Sequence, residues 1–267
     1  MTFTLYLENS RILKGIVETL AAIIDETEIK VTPKEFMITA MDSSRICLLK
    51  LSIKKDDFDK YTCSKESKIG VNLEDLDKIL KRSSVNDSIE LDFKEKEQQI
   101  KIKMQREGAN RVRTFKLALL DIDTEEIPMD NLLEIEYPSR WVIDADILVE
   151  AIKDADIYSE ILNIKSEEGE GLVFSSTGQI GEMEYSIETG DLLDSNLSGT
   201  HTGAYSLKFL KDILKISSIT EKLEMSLRTD HPLKMIFGIL EGGELSYFLA
   251  PRVEEAEFDE DDDMDEF

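Results

Sequence analysis

The sequence predicts an antiparallel α+β fold made twice: two similar domains, each with antiparallel sheets and two helices. Three observations lead there. Val71–Leu91 is echoed 134 residues later by Tyr205–Met225, with eight of 21 positions identical, among them Leu73/Leu207, Leu76/Leu210, Lys81/Lys215, Ser83/Ser217 and Ser84/Ser218. That offset is half of the 267-residue chain; solenoid repeats run to about 20–50 residues, so the reading is a tandem duplication of one domain. Short alternating runs follow one another directly, as in antiparallel sheets rather than parallel α/β folds. Finally, each half holds two stretches with apolar residues at helical spacing.

Phe3–Leu7 alternates like a strand. Asn9 or Ser10 can cap a helix running to about Ile24, with Leu13, Ile16, Val17, Leu20 and Ile24 inward and Arg11, Lys14 and Glu18 outward. Glu28–Val31, Phe36–Met41 and Ile46–Ile53 read as strands. In the repeated stretch Leu73, Leu76, Ile79 and Leu80 share one helical side, and Lys78, Lys81 and Arg82 the other. A Ser-Ser pair follows, then a hairpin of Ile89–Phe93 and Ile100–Met104.

The second half answers in the same order. Asp144–Ala155 is its first helix, with Lys153 its only base and Glu150 among its polar residues. Strands follow at Ile161–Lys165, Leu172–Ser175 and Met183–Ile187. The echo helix carries Lys208, Lys211 and Lys215 on one polar arc, before strands at Leu223–Leu227 and Leu233–Ile239. Pro232 stands where a strand tolerates a missing N–H. Basic faces of this kind either solvate an exposed helix or meet a polyanion.

Between the halves, Leu117–Pro138 holds seven acids and no base, with scattered Leu, Ile and Pro. It reads as an extended linker whose apolar residues either dock a partner or pin the linker down. The domain bounds expected are 1–118, a linker over 119–136, 137–253, and a disordered acidic tail over 254–267.

The net charge is −25, and removing the ten acids of 254–267 leaves −15. Such a surface repels nucleic acid and anionic membranes unless its positive charge is gathered in one place. Cys47 and Cys63 are the only cysteines, and His201 and His231 the only histidines, so neither a disulfide framework nor a metal site is expected. The first residues lack the basic region and apolar run of a secretion signal, and no run approaches the ~18 apolar residues of a membrane span. An intracellular protein is expected. There is no Gly-rich phosphate loop, metal-ligand spacing or nucleophile elbow, so neither catalysis nor a cofactor is expected.

With the repeat and linker placed, the sequence resembles the DNA sliding clamps of the proliferating cell nuclear antigen family, from Met1 to about Glu255. The residues that carry the resemblance are Met41-Asp-Ser-Ser-Arg-Ile-Cys-Leu-Leu-Lys-Leu51, Gly70-Val-Asn-Leu73 with Lys78-Ile-Leu-Lys81, and Leu249-Ala-Pro-Arg-Val253. The form of the last segment and the Glu-Ile-Pro of the linker look archaeal, which implies the cytoplasm (the nucleus, were the protein eukaryotic). The resemblance implies a closed trimeric ring, with helices lining the hole. The ring would encircle duplex DNA without regard to sequence and act as a processivity factor, opened and closed by an ATP-driven loader. DNA polymerase, flap nuclease, ligase and the clamp loader would bind through short peptide motifs.

Residues follow from that resemblance. Arg11, Lys14, Lys78, Lys81, Arg82, Lys153, Lys208, Lys211 and Lys215 would face DNA. A groove for peptides with one aliphatic and two aromatic anchors would be formed by Met41, Arg45, Ile46, Leu48, Ile127, Pro128, Pro232, Phe248, Ala250, Pro251, Arg252 and Val253. At the subunit contact, the strand at about 111–119 with Arg111, Arg113 and Lys116 would meet the strand at about 180–188 with Glu182, Glu184 and Glu188. A homotrimer is expected. The alternatives are one member of a heterotrimeric or damage-checkpoint clamp, or a protein-only scaffold whose basic helices bind acidic partners.

Overall fold

The structure, a computed structural model, describes residues 2–106, 108–122 and 130–252. In the first half β1 (Thr2–Leu7) leads into α1 (Ser10–Ala21). Next come β2 (Glu26–Val31), β3 (Glu35–Met41), β4 (Cys47–Lys54), β5 (Lys60–Cys63) and β6 (Ser67–Asn72). Then follow α2 (Leu73–Leu80), β7 (Asp87–Lys94), β8 (Gln99–Arg106) and β9 (Val112–Ala118). After a helical turn, α3 (Asp130–Leu133), the second half runs β10 (Ser139–Asp144), α4 (Ala145–Ala155), β11 (Ile161–Glu167), β12 (Gly171–Gly178), β13 (Gly181–Glu188), β14 (Asp194–Asn196) and β15 (Thr200–Ser206). It closes with α5 (Leu207–Ile213), β16 (Lys222–Leu227), β17 (Leu233–Ile239) and β18 (Gly243–Leu249).

The duplication is written into the sheets. A five-stranded sheet runs β5-β1-β7-β8-β9, and a four-stranded sheet runs β13-β12-β11-β15. The third sheet has nine strands, in the order β14-β10-β16-β17-β18-β4-β3-β2-β6. Its first five repeat the order of the five-stranded sheet, and its last four repeat that of the four-stranded sheet. The two halves are therefore joined edge to edge by β18 and β4, antiparallel, in register from Glu244↔Ser52 to Leu249↔Cys47.

The helices share one layer. α1 packs on α2 and also on the 3-10 turn Leu214–Ser218, which in turn packs on α4 and α5. One apolar cluster runs through both halves beneath that layer, from Leu13, Leu20 and Leu76 to Leu148, Ile152 and Leu210. The local reasons are those of the sequence: the Asn9 side chain accepts the Arg11 N–H (2.8 Å), and Asn72 accepts the Asp75 N–H (2.9 Å). Helix α1 stops at Ala21 rather than Ile24: the N–H groups of Ala22 and Ile23 bond only three residues back, to the Thr19 and Leu20 carbonyls (3.2 and 3.0 Å), and tighten the last turn. Ile24 is buried from the turn beyond. The expected linker is not extended throughout: Leu117 and Ala118 complete β9, Leu120 bridges to Gly70, and Asp130–Leu133 is helical. Residues 123–129 and 253–267 lie outside the described residues.

Two buried groups illustrate the packing. Gly15 stands mid-helix, where glycine normally costs about 1 kcal/mol relative to alanine. Here a Cβ would lie 2.6 Å from the Ile219 Cγ2, so glycine lets α1 reach the second half. Gly15→Ala is expected to lower the melting temperature, against its helix propensity; a rise in calorimetry would refute this contact. Burial, with a smaller push from Asp42, raises the Cys47 thiol from 9.0 to about 12, while Tyr247 acts the other way through a hydrogen bond. The folded state thus favours the neutral thiol, a contribution present below about pH 9 and lost as pH rises towards 12. At about pH 8, alkylation followed by mass spectrometry should modify the half-buried Cys63 before the buried Cys47.

Candidate nucleic-acid interface and partner groove

The basic side chains of α1, α2, α4 and α5 are exposed or half-exposed on the helical layer. Four of the nine predicted cations are paired within the chain. Lys78 contacts Glu74 and Asp75 (2.8 and 3.2 Å), and Lys81 contacts Asp77 and Glu18 (2.7 and 3.7 Å). Lys215 contacts Asp212 (2.9 Å), and Lys211 pairs with Asp156. These carboxylates hold the Lys78 and Lys81 protons more tightly than usual, Glu74 first for the former and Asp77 for the latter. Arg11 donates to the Ser218 carbonyl, and the Lys208 ammonium lies 5.6 Å from the Phe209 ring centroid. Among the described residues, Lys14, Arg82 and Lys153 have no carboxylate within ion-pair distance. Helix α4 exposes Asp146, Glu150 and Asp154 beside its single Lys153.

The predicted groove residues gather where the two halves join. Ile46 is 37% exposed and precedes β4 rather than lying in it. Its carbonyl accepts the Ala250 N–H (2.9 Å), and the Arg252 N–H reaches the Ala204 carbonyl (2.8 Å), so 250–252 spans from one half to the other. Pro232 is half-buried, and its carbonyl accepts the Tyr137 hydroxyl (2.8 Å). Met41, Ala250 and Pro251 are half-buried and Arg45 exposed. Leu48 and Phe248 differ from expectation: they sit opposite one another in the seam and are only 2% exposed. Neither belongs to the main core, because strand alternation turns them to the face away from the helices. They are a floor rather than free lining. Ile127, Pro128 and Val253 lie outside the described residues.

One groove-side residue was not picked out beforehand. The buried Asp42 carboxylate accepts the N–H groups of Ser44 (2.9 Å), Ile46 (2.7 Å) and Cys47 (2.7 Å), holding a tight loop in which Arg45 takes a left-handed φ of 57°. An Asp before Ser-Ser, able to bond the backbone ahead of it, was the available signal.

Among the described residues the two predicted edges are open. β9 and β13 are each the last strand of their sheet. Lys116 lies on β9, whereas Arg111 just precedes it. Arg113 is already committed: it donates to the Arg82 carbonyl (2.8 Å) and pairs with the buried Asp87, which also caps the Ser84 N–H (2.8 Å). Glu182, Glu184 and Glu188 are exposed on β13. Large apolar residues accompany both edges: Val85 and Val112 are exposed near the first, Ile157 and Ile180 near the second.

Among the described residues no cluster of His, Cys, Asp and Glu could hold a metal, and no helix is long and apolar enough to cross a membrane. Profiles of the N-terminal and C-terminal domains of proliferating cell nuclear antigen match residues 2–126 and 132–252. The chain belongs to the proliferating cell nuclear antigen family. It is 32% identical over 257 residues to a DNA polymerase sliding clamp of Pyrococcus horikoshii, covering 96% of this chain and all of the relative. A sliding clamp of Thermofilum pendens is 33% identical over 249 residues, covering 92% and 97%. Among solved structures, the proliferating cell nuclear antigen of Thermococcus kodakaraensis superimposes with a TM-score of 0.86 at 25% identity, covering 94% of this chain and all of that one. The PCNA2–PCNA3 complex of Sulfolobus tokodaii gives 0.84 at 26%, again over 94% and 100%. Two domains of this family, α+β with antiparallel sheets, thus account for the fold.

The Asp42 loop is testable without any partner. Asp42→Ala should speed hydrogen exchange at the Ser44, Ile46 and Cys47 amides by about tenfold or more, while the β16–β17 ladder keeps its protection. Unchanged exchange at those three amides would refute the role.

Proposed function

We propose that this protein is a DNA sliding clamp: three copies closed into a ring around duplex DNA, holding DNA polymerase and other replication or repair enzymes on the template. The observation that carries the ring is the strand pairing. β9 occupies in the first repeat the place that β18 occupies in the second, and β13 likewise corresponds to β4. β18 and β4 are paired inside the chain, whereas β9 and β13 have one edge unpaired among the described residues. Repeating the internal joint between copies would pair β9 with β13 of the next, a head-to-tail contact that makes rings when its rotation closes. Lys116 and Arg111 opposite Glu182, Glu184 and Glu188, with Val112 and Ile180 at the same edges, favour that pairing. It would also cover two strand edges that otherwise invite aggregation.

The helical layer would face the hole. Phosphate contacts by lysine and arginine are sequence-blind and weaken with salt, as sliding requires. Topology rather than affinity would hold the ring on DNA, and partners docked at the seam would gain effective concentration at the primer end. Ile46, Ala250, Pro251 and Pro232 over the Leu48–Phe248 floor suit an apolar anchor of a short peptide. Flap nuclease, ligase and the clamp loader would share this groove. The protein itself would perform no catalysis, and an archaeal-type cell would keep it in the cytoplasm. The likeness to a complex of two different clamp chains makes a heterotrimer the second reading.

Mass in solution tests the assembly. Three chains of 30.4 kDa should give a species near 91.2 kDa, and Val112→Glu with Ile180→Glu should return it to single chains at low micromolar concentration. A wild-type chain of single mass at all concentrations would exclude the homotrimer. An undisturbed double mutant would exclude these edges.

A further inference from the structure

The seam that joins the two halves carries an apolar surface bordered by cations. On the face away from the helices, one cross-strand row runs Met41–Leu48–Phe248–Lys234, and the next runs Thr39–Lys50–Ser246–Ile236. The Lys234 ammonium lies over the Phe248 ring, 5.9 Å from its centroid. Arg45 is exposed beside Ile46, and Arg252 is exposed after Pro251. Among the described residues, Arg45, Lys50, Lys234 and Arg252 have no carboxylate within ion-pair distance. Elsewhere on the same sheet Arg140 is held by Asp194 and Glu224 (2.7 and 2.6 Å). Asp42, beside the surface, is buried and already taken up by the N–H groups of Ser44, Ile46 and Cys47. In a chain of net charge −25, uncommitted cations around one apolar surface call for an anionic occupant with apolar anchors.

We propose that the chain's own segment 254–267 occupies this surface when no partner peptide is bound, with Met264 and Phe267 as its anchors. The inference rests on the reading that the seam is a peptide groove, and adds how that groove is regulated. The tether is in the right place: Arg252, the last described residue, bonds to Ala204 at the border of the groove. Met264 is twelve residues further on, a reach of up to ~40 Å. The pairing of β18 with β4, six residues long, spans only ~20 Å. The chemistry also matches. Ten of the fourteen residues are acids and none is a base, which complements Arg45, Lys50, Lys234 and Arg252. Met264 and Phe267 stand three apart, so an adaptable thioether chain and an aromatic ring can share one side of a helical turn. The helical layer suits this segment less, since Lys78, Lys81, Lys211 and Lys215 are already paired with in-chain carboxylates. A tethered segment meets its groove at an effective concentration on the order of 1 mM, so an intrinsic dissociation constant of ~0.3 mM would raise a competing peptide's apparent constant about fourfold.

The test measures the full-length chain binding a labelled, uncharged peptide with one aliphatic and two aromatic anchors, by fluorescence anisotropy. Every variant is first checked for wild-type mass. Met264→Ala with Phe267→Ala leaves the charge unchanged and should tighten peptide binding about threefold or more at low salt. That gain should shrink at ~1 M salt, where attraction between exposed acids and cations is screened within about 3 Å. Phe258→Ala, an apolar loss nearer the tether, should change binding less than about 1.5-fold, because it leaves both anchors and their effective concentration in place. Equal affinities of wild type and the Met264→Ala, Phe267→Ala variant would overturn occupancy by the tail and leave the groove reading intact. A gain from Phe258→Ala as large as that from the double change would overturn these anchors. A peptide that binds neither wild type nor any variant would overturn both the occupancy and the groove.

Discussion

The pairing of β18 with β4 is the constraint on which the rest depends. It fuses five strands of one half to four of the other and so fixes where everything attached to them must lie. The helices pack on strands of all three sheets, α1 on β7, α2 on β6 and β9, and α4 on β10 and β11–β13, and the joined nine-stranded sheet holds those supports in one arrangement. The segment after β18 is carried across the join, bonding Ile46 on one side and Ala204 on the other. The same joint defines, by repetition, which edges are left over. A duplicated domain that uses its edge once internally has one edge of each kind still open.

Much of this was legible in the sequence. The repeat, both helices of each half and the long hairpins follow from apolar spacing alone. β5, β6, β10, β14 and β15 were not read as strands. Lys60–Cys63 and Asp194–Asn196 are too short and polar to alternate, Thr200–Ser206 is rich in Thr and Gly, and Ser67–Asn72 runs straight into the helix it feeds. The β18–β4 seam joins residues about 200 positions apart (Leu249 with Cys47), and no local pattern announces such a pairing. Burial of Leu48 and Phe248 shares that cause, since each is covered only once the seam exists.

The charges divide differently. Asp77 and Lys81, or Glu74 and Lys78, stand four residues apart on one helix, so their pairing was readable from spacing. The pairing of Lys211 with Asp156 was not, since it joins α5 to the residue after α4. Arg113 likewise looked free for a partner and is instead spent on Asp87, whose burial arises from the turn between α2 and β7. In a chain of net charge −25, cations without a nearby acid are the scarce resource. Their positions say more than their number.

The halves are fastened on both faces. On the outside the strands are sewn along β18 and β4; on the inside Arg11 and Gly15 of α1 lie directly against Ser218 and Ile219. A join secured on one face alone can fold like a book. One secured on both resists bending either way, and the two halves of this chain are held in that manner. Were copies closed into a ring, the deformation needed to admit DNA would concentrate at the joints between copies and leave the joint inside each copy unmoved.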